Sequence, residues 1–280
     1  MRKLSFLALV LSAGLSVAAC DIQAGENGHF SVDIASGKAV DTWSRTYTVP
    51  AGGRFELINV NGRITAEPTD GKEVVVEGRR SAKARSDEAA KELLAKLEIR
   101  EEVGSSTVRV ESRPPRTSGF GGHEIVWNVK VPKGLTVDLR TINGGVRLDG
   151  LSGEIHAKTT NGGVKGQNLI PETIEASSVN GGIEIELGSP LDSTDSIDLS
   201  TVNGGVTLSM PSESKATITA RCVNGGVRVS DLDIKRDEDD SSQSERRRRL
   251  NGTLNGGGAK VNVSTTNGGV RLSRMGITTS

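Results

Sequence analysis

The chain has 280 residues, with 35 basic side chains against 35 acidic ones. That balance leaves no electrostatic footprint for nucleic acid, and the length suits one sizeable domain without excluding two. Aromatic residues make up 2% of the chain and glycine reaches 35 residues, so the core is either thin or built by stacking small β-branched side chains.

In chain order, the first segment sets the compartment. Arg2 and Lys3 precede an apolar stretch from Leu4 to Val17, too short and too early for a good membrane span, which reads as a secretory signal over residues 1–19. It ends in Val17-Ala18-Ala19-Cys20, which resembles the bacterial lipobox. The resemblance implies cleavage before Cys20 and acylation of that residue, with several chains giving firm attachment where one is marginal. Asp21 after Cys20 resembles an inner-membrane retention signal of some Gram-negative bacteria; inner and outer membrane stay open. Removing residues 1–19 takes away Arg2 and Lys3 and no acid, leaving 33 basic against 35 acidic residues, a net charge of −2. Residues 20–44 read as the lipidated cysteine and a flexible tether, and residues 45–280 as one β-repeat domain.

Asn-Gly-Gly followed by Val or Ile recurs at Asn143, Asn161, Asn180, Asn203, Asn224 and Asn267, with a degenerate copy at Asn61. Successive spacings from Asn143 are 18, 19, 23, 21 and 43, the last being two units or one unit with an insertion. Periods near 20 match one turn of a β-solenoid. Six positions before each Asn stand Phe55, Val137, Ile155, Ile174, Ile197, Ile218 and Val261. Apolar residues also stand four before and three after, with polar ones between, which is the period-two signature of strands. Each unit is therefore expected to be a strand, a sharp Asn-Gly-Gly corner and a second strand. Asn and Gly tolerate the positive φ of tight corners, and stacked Asn amides can bond along the column. Asn255-Gly256-Gly257 fails the test, with Arg249 and Asn251 at the apolar positions, and reads as a loop.

Residues 67–136 interrupt the series. Glu73 to Glu77 reads as a strand, Ser86 as the cap of a helix with Ala89, Leu93, Leu94 and Leu97 on one face, Ile99 to Glu101 and Thr107 to Glu111 as a hairpin around Gly104, and Glu124 to Val131 as a strand carrying Trp127. The helix is expected to cover an end or side of the stack, because a bare end coil exposes unpaired strand edges. Residues 231–250 form a second interruption, a charged loop with acids from Asp237 to Asp240 and the run Arg246 to Arg249. It reads as a site for anionic glycan or lipid head groups, or as a solvated loop, and the second is preferred.

Little in the sequence points to chemistry. His29, His123 and His156 have no metal-ligand spacing, no Gly-x-Ser-x-Gly or Walker loop is present, and no cofactor is implied. Cys222 stands where other units place Thr141, Thr159, Ser178, Thr201 and Thr265, so it reads as a buried structural thiol. Asp138, Glu175 and Asp198 share an outward column that could in principle act on sugar, but His156, Thr219 and Asn262 break it, and it reads as a solvated face. Thr65, Arg147, Lys165, Glu184, Thr207, Arg228 and Arg271 form a mainly basic stripe four after each corner. It could meet polyanions or keep the sheet soluble and block edge pairing; the second is preferred.

The pattern T-x-N-G-G-V-x-L, the opening VPAGGRFELINVNGRITAEP and the late LNGGGAKVNVSTTNGGVRL resemble the bacterial β-strand-repeat family labelled "putative adhesin", a domain of unknown function. The resemblance covers most of residues 45–275. It implies a secreted or envelope-attached protein, often near envelope-stress systems, with no catalytic residues to carry over. The expectation is an all-β, parallel β-solenoid-like stack of coils of about 20 residues with Asn-Gly-Gly corners, a short capping helix and an inserted hairpin. The expected function is a non-enzymatic, lipid-anchored envelope protein that binds a surface, a glycan or an envelope protein and no nucleic acid. Alternatives are an envelope-stress regulatory lipoprotein acting through a protein partner and, last, a polysaccharide-active enzyme.

Overall fold

The computed structural model describes residues 22–24, 30–32, 37–115, 121–237 and 242–275. The expected signal segment, Cys20, His29 and the acids at 238–240 lie outside the described residues.

The chain opens with an antiparallel pair, β1 (Ile22–Ala24) and β2 (Phe30–Val32). Next come β3 (Gly37–Thr48), β4 (Arg54–Asn61), β5 (Ile64–Thr69), β6 (Glu73–Ala84), helix α1 (Asp87–Ala95), β7 (Glu98–Val103), β8 (Thr107–Arg113) and β9 (Gly122–Pro132). The middle holds β10 (Thr136–Asn143), β11 (Val146–Asp149), β12 (Ser152–Asn161), β13 (Val164–Asn180), β14 (Ile183–Leu187), β15 (Ser196–Asn203) and β16 (Val206–Met210). The chain ends with β17 (Ala216–Asn224), β18 (Val227–Ser230), β19 (Ile234–Arg236), helix α2 (Gln243–Arg248), β20 (Arg249–Leu254), β21 (Ala259–Asn267) and β22 (Val270–Arg274).

Strands that lead into the Asn residues pair in parallel in one sheet, here the upstream sheet, in the order β8, β4, β10, β12, β13, β15, β21, β17. Strands that follow them pair in parallel in the downstream sheet, in the order β9, β5, β11, β13, β14, β16, β22, β18. The long β13 serves both sheets, its start beside β11 and its end beside β12. Each upstream strand with its downstream successor makes one rung.

Alternation along each strand fills the space between the sheets. Phe55, Ile155, Ile174, Ile197, Ile218 and Val261 are fully buried six positions before the Asn, and Ile64, Val146, Val164, Ile183, Val206 and Val270 are buried three after it. Burying each such side chain contributes roughly 1.5–3 kcal/mol, and β-branched residues suit a pleated stack. Leu151, Leu169 and Leu191 are buried where the chain passes from one rung to the next.

Chain order and rung order differ at both ends. β21 and β22, the last strands, lie between β15–β16 and β17–β18. The spacing of 43 therefore contains a detour through β19, α2 and β20, after which the chain returns to fill the gap. At the other end β8 and β9, within the expected interruption 67–136, form a rung of their own outside β4–β5.

Two boundaries are corrected. Residues 37–44, expected in the tether, belong to β3, which pairs with β6 from Gly37↔Ala84 to Thr48↔Glu73. Sparse apolar residues hid this strand, because an end strand is buried on little of its surface. Residues 231–250, expected as a charged loop, include β19, α2 and the start of β20. Ser242 caps α2 through a reciprocal capping box with Glu245.

Antiparallel strands flank both sheets at one end and the upstream sheet at the other, as edge protection requires. β6 and β3 extend the downstream sheet beyond β9, and β7 flanks β8. α1 packs on β3 and β6, with Ala90 and Leu94 buried. At the far end β20 pairs with β17 and β19 with β20.

Candidate binding groove

The corners begin with a ladder of amides. Asn143 Nδ2 donates to Asn61 Oδ1 at 2.8 Å, Asn161 to Asn143 at 2.8 Å, Asn180 to Asn161 at 2.9 Å and Asn203 to Asn180 at 2.9 Å. Asn267 then donates to Asn203 and Asn224 to Asn267, both at 2.8 Å, following rung order. His123 Nε2 lies 2.9 Å from Asn61 Nδ2, and burial lowers the His123 pKa, so a neutral ring accepts at the end of the ladder. These amides are committed to one another, which gives them a structural role.

A second column reinforces the first. The hydroxyls of Thr141, Thr159, Ser178, Thr201 and Thr265 donate to the carbonyls of Gly62, Gly144, Gly162, Gly181 and Gly204, each on the neighbouring rung. Cys222 pairs with Thr265, so the register of the column puts Gly268 O where its acceptor would be. It is 3% exposed, and burial raises its pKa, so it is an inert thiol in a hydroxyl's place.

At the corners towards α2 the two glycines differ, whereas a Cβ on the second glycines Gly145, Gly163 and Gly182 would lie 2.9–3.2 Å from a backbone oxygen of the next rung. A Cβ on the first would lie 1.9 Å from Gly162 O at Gly181, 2.2 Å from Gly181 O at Gly204 and 2.1 Å from Gly204 O at Gly268. The backbones touch there, and only glycine fits. A Cβ on the second would lie 3.4 Å from its nearest neighbour at Gly205, 3.5 Å at Gly269 and 3.6 Å at Gly226. Packing does not demand glycine at those three positions, and on the first complete rung Arg63 occupies the equivalent place.

The second glycines point outward and floor a groove that runs across the rungs. One hollow of about 680 Å³ is lined by Thr207, Arg228, Arg247 and Arg271 over Gly225, Gly226 and Gly269. The next, about 430 Å³, is lined by Arg63, Arg147, Lys165, Glu184 and Thr207 over Gly145, Gly163, Gly182 and Gly205. Thr207 belongs to both, so they form one trench.

Rung order arranges its wall as Thr65, Arg147, Lys165, Glu184, Thr207, Arg271 and Arg228. The sequence identified these seven as a stripe but placed Arg228 before Arg271. It missed Arg63, visible as a departure from Asn-Gly-Gly, and Arg247, which α2 delivers and no local pattern signals. Lys165 pairs with Glu184 at 3.3 Å. Among the described residues Arg63, Arg147, Arg228, Arg247 and Arg271 form no ion pair. Arg228 and Arg271 are direct neighbours in register, and like charges so placed are destabilising.

The outer upstream face is different. His156 bridges Glu175 (Nδ1, 2.8 Å) and Glu154 (Nε2, 2.7 Å). Burial opposes charge on the ring, yet the bonds to Glu154 and Glu175 prevail and raise its pKa. Arg140 grips Asp138 through two bonds of 2.9 and 2.6 Å. Burial, then the nearby Glu175 carboxylate, raise the Asp198 pKa. The carboxylate column that could have served a glycan-cleaving site is thus joined by His156 rather than broken by it, and Asp138, Glu154 and Glu175 are each held by a cationic or imidazole partner. Among the described residues no group of three or more His, Cys, Asp or Glu side chains could hold a metal ion.

A model of the family described as Toastrack DUF4097 matches residues 128–273. No curated protein matches the chain. Among solved structures, the chain is similar to a "putative cell adhesion protein" from Clostridium sporogenes (13% identity, 84% of this chain and 100% of that one, TM-score 0.46). It is also similar to a "putative adhesin" from Bacteroides fragilis (11%, 84% and 97%, 0.41) and a "putative lipid binding protein" from Parabacteroides distasonis (8%, 84% and 97%, 0.34).

Proposed function

The chain belongs to the Toastrack DUF4097 family, and from that premise we propose that it is a non-enzymatic, lipid-anchored protein of the bacterial envelope whose rigid β-stack is a binding surface. The observation that carries this reading is the groove: five arginines with no ion pair among the described residues border a trench whose second glycines, at Gly205, Gly226 and Gly269, packing does not require. Uncompensated like charge costs folding stability, and a ligand that brings the opposite charge recovers that cost. The side chains best suited to acid–base work, on the opposite face, are instead held in hydrogen bonds. Attachment rests on the sequence Val17-Ala18-Ala19-Cys20, with Cys20 as the acylated residue.

The test has two arms. Cys20→Ala in the native host moves the protein from the membrane to the soluble fraction. The chain lacking residues 1–19 and carrying Cys20→Ser, once purified, adsorbs to isolated envelopes of that host and releases no product from a panel of glycans. Retention of the Cys20→Ala protein in the membrane would refute the anchor, and glycan products would refute the non-enzymatic reading.

A further inference from the structure

We infer that the groove holds a linear anionic glycan laid across the rungs, with oxyanions (carboxylate or phosphate) seated at its two ends and uncharged sugar hydroxyls between them. This deepens the binding role proposed above and rests on it.

Length comes first. From β5 to β18 the trench crosses six strand spacings, about 29 Å at ~4.8 Å each. That is long for a single anion and right for a chain.

Charge distribution comes second. Arg63 and Arg147 stand at one end, and Arg228, Arg247 and Arg271 at the other. Among the described residues no carboxylate lines the hollow at the Arg228 end. Between them Glu184 satisfies Lys165, and Thr207 offers a hydroxyl. Three strand spacings, about 14 Å, therefore separate Lys165 from Arg271 without an available cation. A polymer with a charge on every unit would set anions against Glu184. A glycan with spaced charges sets hydroxyls there.

The two ends are unequal. The next outward column carries Glu67, Asp149, Gln167 and Glu186 over the first half but Ser209, Ser273 and Ser230 over the second. Among the described residues the arginines at the α2 end meet less competing charge, and they form the stronger subsite. Two of them, Arg228 and Arg271, are neighbours in register, a placement suited to bidentate grip on a carboxylate or phosphate.

Room is third. With Cβ distances of 3.4–3.6 Å at Gly205, Gly226 and Gly269, alanine would fit and would raise the floor. Glycine there keeps the trench deep enough for a chain to reach both walls.

The experiment is calorimetric titration of the chain lacking residues 1–19, with Cys20→Ser, using hyaluronan fragments of graded length, which carry one carboxylate per disaccharide. Inorganic polyphosphate, neutral dextran and anionic phospholipid vesicles serve as comparisons. Affinity is expected to rise at least tenfold at the length that joins both arginine clusters. Arg228→Gln with Arg271→Gln should lower the affinity of long fragments tenfold or more and remove the step, and Arg63→Gln with Arg147→Gln should do so less severely. Gly205→Ala with Gly269→Ala should weaken binding while leaving the melting temperature within a few degrees. Equal losses from Lys72→Gln with Lys133→Gln, on exposed turns outside the groove, would reduce the effect to unspecific charge and overturn the inference. Stronger binding of polyphosphate, or binding of vesicles alone, would overturn it in favour of a dense polyanion or a membrane surface. Failure of every probe with adsorption to envelopes retained would sink the glycan and spare the binding role, whereas loss of both would sink both.

Discussion

Single residues carry much of this fold's specification. The first glycine of each corner sits against a carbonyl of the next rung, so Gly181→Ala forces two backbones apart and should cost about 1–3 kcal/mol or more, as overpacking does. Gly205→Ala should cost less than about 1 kcal/mol, the ordinary loss being small where a Cβ has room. Urea unfolding of the two variants checks the contrast. Cys222 offers the opposite experiment. Cys222→Thr places a hydroxyl opposite Gly268 O, as on five other rungs, and should stabilise by about 0.5–1.5 kcal/mol, the net worth of one hydrogen bond. A destabilised variant would show that the column at this rung has no space for the donor. The tripeptide and the hydroxyl column were legible because the repeat prints them at fixed offsets. The difference between the two glycines was not, since only the spacing of neighbouring backbones separates a glycine that is compelled from one that is permitted.

Titration at the outer upstream face also belongs to this scale. His156 has a raised pKa in the folded chain, so it contributes stability that is fully present below its unfolded value and is lost as pH rises through the folded one. Asp198 is also raised, and its ionisation acts in the same direction, weakening the fold as pH climbs through its own range. The groups facing the ring are Glu154, Glu175 and, through Glu154, Arg54. Thermal unfolding from pH 5.5 to 8.5 should show a falling melting temperature, and His156→Gln should flatten that slope. An unchanged slope would place the pH dependence elsewhere.

At the scale of elements, the rungs from β10 to β16 follow the sequence because their connections are short and each new strand can pair only with the one just laid down. The ends do not follow it. β8 and β9 lacked the Asn-Gly-Gly signature and gave no sign of being a rung. β21 and β22 carried it in full, yet pattern alone cannot say on which side of β17 and β18 they lie, because every rung presents the same columns to either neighbour. β19, α2 and β20 decide the matter by holding the far side of β17, which leaves the gap beside β15 for the last rung. Ser209 and Ser273 are neighbours in register, their Oγ atoms 2.9 Å apart. With Cys222→Ser to remove the free thiol, Ser209→Cys and Ser273→Cys should form a disulfide readily, since adjacent strands bring Cα atoms within bonding range. Ser209→Cys with Ser230→Cys should not. The reverse result would restore chain order to the stack.

For the whole molecule, repetition supplies rigidity and the groove supplies a reason for it. Parallel strands in register align the corner glycines into one trench, and α2 adds Arg247 from a segment that read as solvated charge. The outward basic residues were visible in the sequence, and their preferred reading was solubility. Three-dimensional placement changes that weighting: among the described residues Lys165 is paired and five arginines are not, and those five gather about hollows. The sequence could not weigh the stripe, because a column of charge on a flat sheet and a column beside a trench are written identically.

The most direct measurement is an adsorption isotherm on isolated host envelopes at two salt concentrations. It compares the purified chain, the quadruple variant Arg63→Gln, Arg147→Gln, Arg228→Gln, Arg271→Gln, and the Lys72→Gln, Lys133→Gln control. The groove account predicts salt-sensitive adsorption for the chain and the control and at least a tenfold loss for the quadruple variant, with all three equally folded. Equal adsorption by all three would contradict it and move the binding surface away from the groove.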